Sequence, residues 1–241
     1  VDRRIAFAAS SVGFFIIKGH KEGKKVGAVA RKKMLKVFDI PLNEQRYLWK
    51  KNFAPENSNL YRGLFPLISS PAKNRQGFEI GPDIAHNYDS YDTNDVLQER
   101  TPLPKPEHIP VDWISTCKNY YLSMENIGKK LLCSISRSLG ISQSIFLDAF
   151  DKGISTLRLL NYPMHLGDNY IEDKHSERFT VFRGVKYEQI ARAHVDSGLL
   201  TILAQDDVGG LQVKDHNQKW NDVPIIPDSF SINFGGLMEY W

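Results

Sequence analysis

Residues 193–213 have the sequence AHVDSGLLTILAQDDVGGLQV, and this stretch decides how the chain is interpreted. The segment from Ile190 to Leu203 is strand-like, and its apolar part, which begins at Gly198, should lie inside a core. The turn-forming residues Asp206 to Gly210 separate it from a second short strand, Leu211 to Val213. Closely spaced strands joined by such turns favour an antiparallel sandwich or jelly roll.

The chain has mainly helical patterns before this stretch and strand patterns around and after it. Helical spacing of apolar residues and turn signals predict the elements of the N-terminal half: helices at 2–11, 24–37, 111–139 and 143–150, a strand at 14–17, and long loops over 52–110. Further strands are predicted at Ser155 to Tyr162 and at Phe230 to Trp241. The coarse prediction is an α+β fold with helices first and an antiparallel sheet after them.

Composition excludes several classes of function. With 41% hydrophobic and 11% aromatic residues, the chain can bury a substantial core. Its 31 Lys and Arg residues nearly balance its 28 Asp and Glu residues, which argues against a nucleic-acid or membrane partner. Cys117 and Cys133 fall in one predicted helix and should not pair. Since we find neither a long apolar run nor a leader pattern, we expect a cytoplasmic protein.

His194 and Asp196 are the candidate metal ligands. In a strand, residues i and i+2 point to the same face, so an imidazole nitrogen and a carboxylate oxygen can converge on one ion. Two histidines and one carboxylate form the facial triad of non-haem iron(II) oxygenases. The alternative is a turn-forming aspartate beside a satisfied core histidine. The residues alone leave both interpretations open.

The same spacing of histidine and acidic residue occurs twice more. His20 and Glu22 form one instance, and His175 and Glu177 form the other. Both pairs lie in polar, charged surroundings typical of loops, where solvated side chains are expected. Context therefore selects His194 and Asp196.

Several segments of the chain, in the same order, resemble one protein family. Residues 193–213, Trp220 to Pro224 and Ser231 to Trp241 resemble the iron-binding core of isopenicillin N synthase-like 2-oxoglutarate-dependent dioxygenases. Weaker similarity covers Gly13 to Ile17 and Gln76 to Gly81. The resemblance implies a double-stranded β-helix (jelly roll) core in residues 151–241, truncated at its C-terminus, with an N-terminal helical and loop region, residues 1–150, packed on it.

The resemblance also implies an activity. Members bind iron(II) and the cosubstrate 2-oxoglutarate, and couple its oxidative decarboxylation by O2 to hydroxylation, desaturation or cyclisation of a small organic substrate. His194 and Asp196 would be two of three iron ligands, and the hydroxyl of Tyr162 would reach a carboxylate of 2-oxoglutarate. A core tyrosine with its hydroxyl at the rim is the alternative for Tyr162. The loops over 52–110 and the polar stretch 165–187 would select the substrate.

The chain departs from the family pattern at several points. Leu160 stands where plant members often carry an asparagine, and Arg158 is expected to form a structural salt bridge rather than to bind a substrate acid. The second histidine ligand and the Arg-x-Ser that grips 2-oxoglutarate do not occur after His216, which itself lies in a polar loop. We therefore expect an incomplete chain. The alternatives are a 2-oxoglutarate-independent oxidase, an inactive fragment, or a degenerate jelly-roll binding module.

Overall fold

The computed structural model describes residues 1–67, 75–86, 95–163 and 179–240, and it combines helices with antiparallel strands as the α+β prediction requires. The α-helices are α1 (Asp2–Ser11), α2 (Ala28–Met34), α3 (Trp113–Leu139), α4 (Ser144–Ala149) and α5 (Gly236–Tyr240). The strands are β1 (Phe14–Lys18), β2 (Gly63–Phe65), β3 (Gln76–Ile80), β4 (Leu157–Asn161), β5 (Phe179–Phe182), β6 (Val185–Glu188), β7 (Leu200–Leu203), β8 (Gln212–Lys214), β9 (Trp220–Asp222) and β10 (Ser229–Phe234). Short 3₁₀ helices cover Gly23–Val26, Leu35–Asp39, Arg46–Leu48, Pro82–Ile84, Val96–Gln98 and Pro106–His108.

The first of two compact units contains the sheet on which the candidate site is built. It comprises Val1–Lys32, Ser115–Gly153 and Val195–Trp241. This sheet has three strands in the order β1-β10-β7, all antiparallel, so β10 is paired along both edges. The unit also contains the two-stranded antiparallel sheet β8-β9. A Cβ on Gly128 of α3 would lie 3.7 Å from side-chain atoms of β7, which shows how closely the helix backbone approaches this strand.

The second unit comprises Lys33–Ile114 and Ile154–His194. It holds the antiparallel sheet β2-β3-β4 and the hairpin β5-β6. Phe78 of β3 and Trp113 are fully buried, and their rings meet edge to face with centroids 6.1 Å apart. The indole N–H of Trp113 donates to the carbonyl of Met34 at 2.9 Å, so the polar atom of this large side chain is satisfied inside the core.

The compact units do not follow the predicted division at residue 150. Each unit is assembled from segments on both sides of that position. The division into family regions, 1–150 and 151–241, stays a prediction.

The long predicted helix is confirmed as α3. Cys117, Tyr121 and Ile127 are buried on its apolar face. Gly140 ends the helix with a φ of +67°, and the N–H of Ile141 then bonds back to the carbonyl of Ser136 at 3.1 Å. Within the described ranges, no helix combines the length and apolar character that crossing a membrane requires.

The predicted helix over 24–37 is broken into three pieces. Gly27 adopts an extended conformation after a 3₁₀ turn, and α2 starts afresh at Ala28. The break resets the helical phase. An uninterrupted helix over 24–37 would place Val29 on the same face as Met34 and Val37, but Val29 is 77% exposed whereas the other two are buried.

Two strand predictions are wrong in extent. Only Leu200–Leu203 of the segment 190–203 is a strand, and the chain after Phe234 turns into α5 instead of continuing as a strand to Trp241, which lies outside the described residues. The loop prediction over 52–110 also fails at β2 and β3. Strands of three to five residues give little period-2 signal, which explains these errors.

A buried carboxylate organises the sheet of the second unit. Glu79 of β3 is only 2% exposed and forms ion pairs with Lys50 and with Arg158 of β4. The Nε of Arg158 donates to it at 2.7 Å, while the Arg158 side chain remains half exposed. The prediction of a structural salt bridge for Arg158 is therefore confirmed.

Replacing Glu79 by glutamine should lower the free energy of unfolding by about 3 kcal/mol, because two cations would lose the anion that they share. This loss lies at the lower end of the range for breaking a buried ion pair, because Arg158 retains contact with water. Urea unfolding monitored by circular dichroism measures the change. The matched control is Glu56→Gln, which removes an exposed partner of Arg46 and should leave stability almost unchanged. Equal losses in the two variants would contradict the assignment.

Candidate metal centre

The carboxylate of Asp196 is held by two side chains of the sheet in the first unit. Its Oδ2 accepts a hydrogen bond from Thr201 Oγ1 at 2.6 Å and another from Asn233 Nδ2 at 2.8 Å. Thr201 of β7 and Asn233 of β10 are directly paired across the ladder. Two donors on neighbouring strands thus compensate a half-buried carboxylate and orient it.

The backbone around Asp196 is anchored to the segment that follows β10. The N–H of Gly236 donates to the carbonyl of Asp196 at 2.7 Å, and the N–H of Gly235 donates to that of Leu199 at 3.2 Å. A Cβ on Gly235 would lie 2.1 Å from the carbonyl oxygen of Gly198 and 2.6 Å from that of Asp196. Only glycine permits this approach of the two backbones.

Gly235→Ala should therefore push residues 196–198 away from β10 and lower the free energy of unfolding by about 1–3 kcal/mol, the cost of overpacking a close contact. Thermal or urea unfolding of the purified variant measures it. Gly198→Ala is the control, because a Cβ there would meet no atom within 4 Å and its φ lies outside the left-handed region. If Gly198→Ala proves as destabilising as Gly235→Ala, the steric explanation is wrong.

His194 is oriented by the main chain. Its Nδ1 lies 2.7 Å from the carbonyl oxygen of Arg192, so Nδ1 carries the proton and donates it. In that tautomer the lone pair resides on Nε2, the nitrogen that a metal ion would engage. The ring is exposed, so the alternative of a satisfied core histidine is not met.

The predicted strand geometry for this pair is wrong. Residues 191–199 contain no strand, so His194 and Asp196 are not brought to one face by β alternation. A carbonyl positions the imidazole, and a pair of strands positions the carboxylate. The residue types fit a divalent metal, since imidazole and carboxylate both ligate iron(II) and each has the supporting hydrogen bonds common around metal ligands.

Tyr162 follows β4 directly and is 42% exposed. Strand alternation continues to this residue, because Leu159 is buried while Arg158 and Tyr162 are open to solvent. Tyr162 is therefore open to solvent, and its contact with the cosubstrate stays a prediction.

The remaining histidines of interest have other surroundings. His20 packs on the ring of Phe230 with centroids 4.8 Å apart. His216 lies exposed in the β8-β9 turn beside Asp215, whose carboxylate accepts the N–H of Lys219 and Asn217. The Lys219 bond is the main reason that the pKa of Asp215 lies below its usual range. The pair His175 and Glu177 lies outside the described residues.

In the part of the chain that the structure describes, no three His, Cys, Asp or Glu side chains are grouped so that they could hold a metal ion. The assignment of His194 and Asp196 as metal ligands therefore stays a prediction. Sequence analysis missed Thr201, Asn233 and Gly235. The only signal for these three residues in the sequence is a polar residue or a glycine within or next to an apolar strand-forming run.

Known proteins share similarity with this chain. Residues 155–241 match the model of the 2OG-Fe(II) oxygenase superfamily. Over 228 residues the chain is 26% identical to the 2-oxoglutarate-Fe(II) type oxidoreductase hxnY of Emericella nidulans, which covers 94% of this chain and 61% of that protein. Over residues 155–241 the chain is therefore similar to members of this superfamily. Clavatol oxidase claD of Penicillium crustosum is a second superfamily relative, 26% identical over 245 residues, or 96% of this chain and 68% of its own.

Solved structures of superfamily members show the same fold. A Neurospora crassa protein solved in complex with alpha-KG superposes with a TM-score of 0.76 at 21% identity, covering all of this chain and 68% of that one. The auxin dioxygenase AtDAO1 of Arabidopsis thaliana, bound to 2-oxoglutarate, gives a TM-score of 0.68 at 18% identity, covering all of this chain and 76% of that one. The jelly-roll prediction is confirmed. The chain spans about three fifths to two thirds of the length of the curated relatives described above.

Proposed function

We propose that the whole protein is an iron(II)- and 2-oxoglutarate-dependent oxygenase that hydroxylates, desaturates or cyclises a small organic substrate with O2. The observation that carries the proposal is the arrangement around Asp196, whose carboxylate is oriented by Thr201 and Asn233 within the segment that matches the superfamily. Isolated surface aspartates need no such support.

His194 and Asp196 would hold the metal ion. The hydrogen bond from Nδ1 to the carbonyl of Arg192 keeps Nε2 in the form that can bind iron(II). Iron(II) and 2-oxoglutarate, when bound, supply the oxidising chemistry, with one atom of O2 entering succinate and the other available to the substrate. The two side chains bind the metal ion and orient it.

The cysteines Cys117 and Cys133 form no disulfide, which agrees with a reducing, cytosolic location.

Tyr162 would bind the cosubstrate. Its exposed phenol can donate a hydrogen bond to a carboxylate of 2-oxoglutarate, the role that the family resemblance implies. Arg158 forms an ion pair with Glu79, so we do not propose that it binds an acidic group of the substrate.

An anaerobic titration with iron(II) and then 2-oxoglutarate tests the proposal, with the visible charge-transfer band of the ternary complex as the readout. It is run on the 241-residue chain and on the whole protein. We expect the whole protein to show the band and His194→Ala to abolish it. The 241-residue chain should bind iron(II) weakly, since His194 and Asp196 are two ligands where the triad has three.

His216→Ala is the matched control, because His216 is an exposed histidine on the β8-β9 turn and its loss should leave the band intact. Absence of the band from the whole protein would overturn the 2-oxoglutarate chemistry and favour a jelly-roll binding module. Equal loss in His194→Ala and His216→Ala would remove the assignment of His194.

Tyr162→Phe should weaken the binding of 2-oxoglutarate to the iron-loaded protein by about tenfold, the effect of losing one hydrogen bond to a charged group. Iron affinity should not change. Titration of the same charge-transfer band measures both constants. Tyr187→Phe serves as the control, since Tyr187 of β6 is similarly exposed at 49%. Unchanged 2-oxoglutarate affinity in Tyr162→Phe would show that its hydroxyl does not contact the cosubstrate.

A further inference from the structure

We propose that Thr201 and Asn233 form a cross-strand clamp that positions Asp196 for monodentate binding of the metal ion. The inference rests on the proposed function, since it assigns a role toward the same ion. Both residues act through Asp196, so they are positioning residues. Neither belongs to the His-x-Asp motif.

The clamp is built into the sheet. Antiparallel pairing of β7 and β10 places Thr201 directly opposite Asn233, and the ladder fixes the separation of their backbones. Thr201 is β-branched, which restricts its χ1 angle and keeps the hydroxyl in place. The two donors therefore reach Asp196 from positions that the sheet determines.

Both donors engage the same oxygen. Oδ2 receives the hydroxyl at 2.6 Å and the amide at 2.8 Å. An ionised carboxylate offers about two lone-pair sites on each oxygen, and two donors use those of Oδ2. A metal ion that replaced either donor at Oδ2 would leave a half-buried polar group without its partner. Metal binding is thereby directed to Oδ1.

The clamp also restricts the conformation of the Asp196 carboxylate before the metal ion binds. Without the two bonds, the carboxylate could rotate about its χ2 angle, and part of the binding free energy would be spent on ordering it. The carbonyl of Asp196 is held as well, by the N–H of Gly236. Side chain and main chain are thus both anchored to β10 and the residues that follow it.

A purely structural role is the alternative, in which the two bonds only satisfy a half-buried carboxylate. The two roles make different predictions. A structural bond affects the free energy of unfolding of the metal-free protein, whereas a positioning bond also changes metal affinity and the way in which the carboxylate binds. Measuring affinity and stability separately distinguishes them.

The test uses cobalt(II) as a redox-stable probe on the whole protein. Thr201→Val removes the hydroxyl at nearly constant volume and should weaken cobalt(II) binding about tenfold, the usual minimum for loss of a supporting hydrogen bond at a metal ligand. Thr201→Ser restores the donor and should return the affinity close to that of the wild type. Asn233→Leu should behave as Thr201→Val does. Calorimetric titration gives the dissociation constants.

The binding mode supplies the second readout. The infrared splitting between the carboxylate stretches of the cobalt(II) complex should shift toward the bidentate pattern in Thr201→Val and return in Thr201→Ser. Ser231→Ala is the control, because Ser231 lies on the same face of β10 but pairs with Leu203, and its hydroxyl oxygen accepts a hydrogen bond from the amide of Gln205. Its affinity and spectrum should match the wild type.

The outcomes separate the two proposals. If Thr201→Val keeps wild-type affinity and splitting while Asp196→Asn loses cobalt(II) binding, the clamp is refuted and the metal assignment stands. If Asp196→Asn also binds normally, the ligand assignment itself fails. Should Thr201→Val not fold, Thr201→Ser and Asn233→Leu carry the same comparison. An Asn233→Leu variant with unaltered affinity would then refute the clamp.

Discussion

The pairing of β10 with β7 is the constraint on which the candidate metal centre depends. It places Thr201 opposite Asn233, and these two residues support Asp196. Because side chains alternate along a strand, a slip of one residue would turn one of the pair to the other face of the sheet. The register is secured from the opposite edge, where β1 pairs with β10 over five residues.

The glycines after β10 extend that constraint to the main chain. Gly235 lets the backbone of residues 196–198 approach more closely than any side chain would allow, and Gly236 binds the carbonyl of Asp196. Leu199 then enters an apolar cluster with Leu132 of α3 and Phe146 of α4, which Met238 of α5 also contacts. An irregular segment is thereby held as firmly as a strand would hold it, through contacts distant in sequence.

Charge is handled differently in the two units. In the second unit, Glu79 is buried and paired with two cations, so Arg158 is used for structure. In the first unit, the two donors to Oδ2 of Asp196 are a neutral hydroxyl and a neutral amide. Neutral donors of this kind orient a carboxylate oxygen without adding a charge to it.

The sequence by itself determined the elements with a long periodic signal. The helix α3 was predicted almost to its ends because its apolar spacing repeats over seven turns and Gly140 stops it. The resemblance to one family also predicted the jelly roll, and it proposed His194 and Asp196 as metal ligands. Tertiary structure alone decided that residues 191–199 are not a strand, that Val29 is exposed, and that Thr201, Asn233 and Gly235 support Asp196. The physical reason is that strand pairing and close backbone approach join residues that are up to about forty positions apart, and no local pattern of hydrophobicity records such contacts.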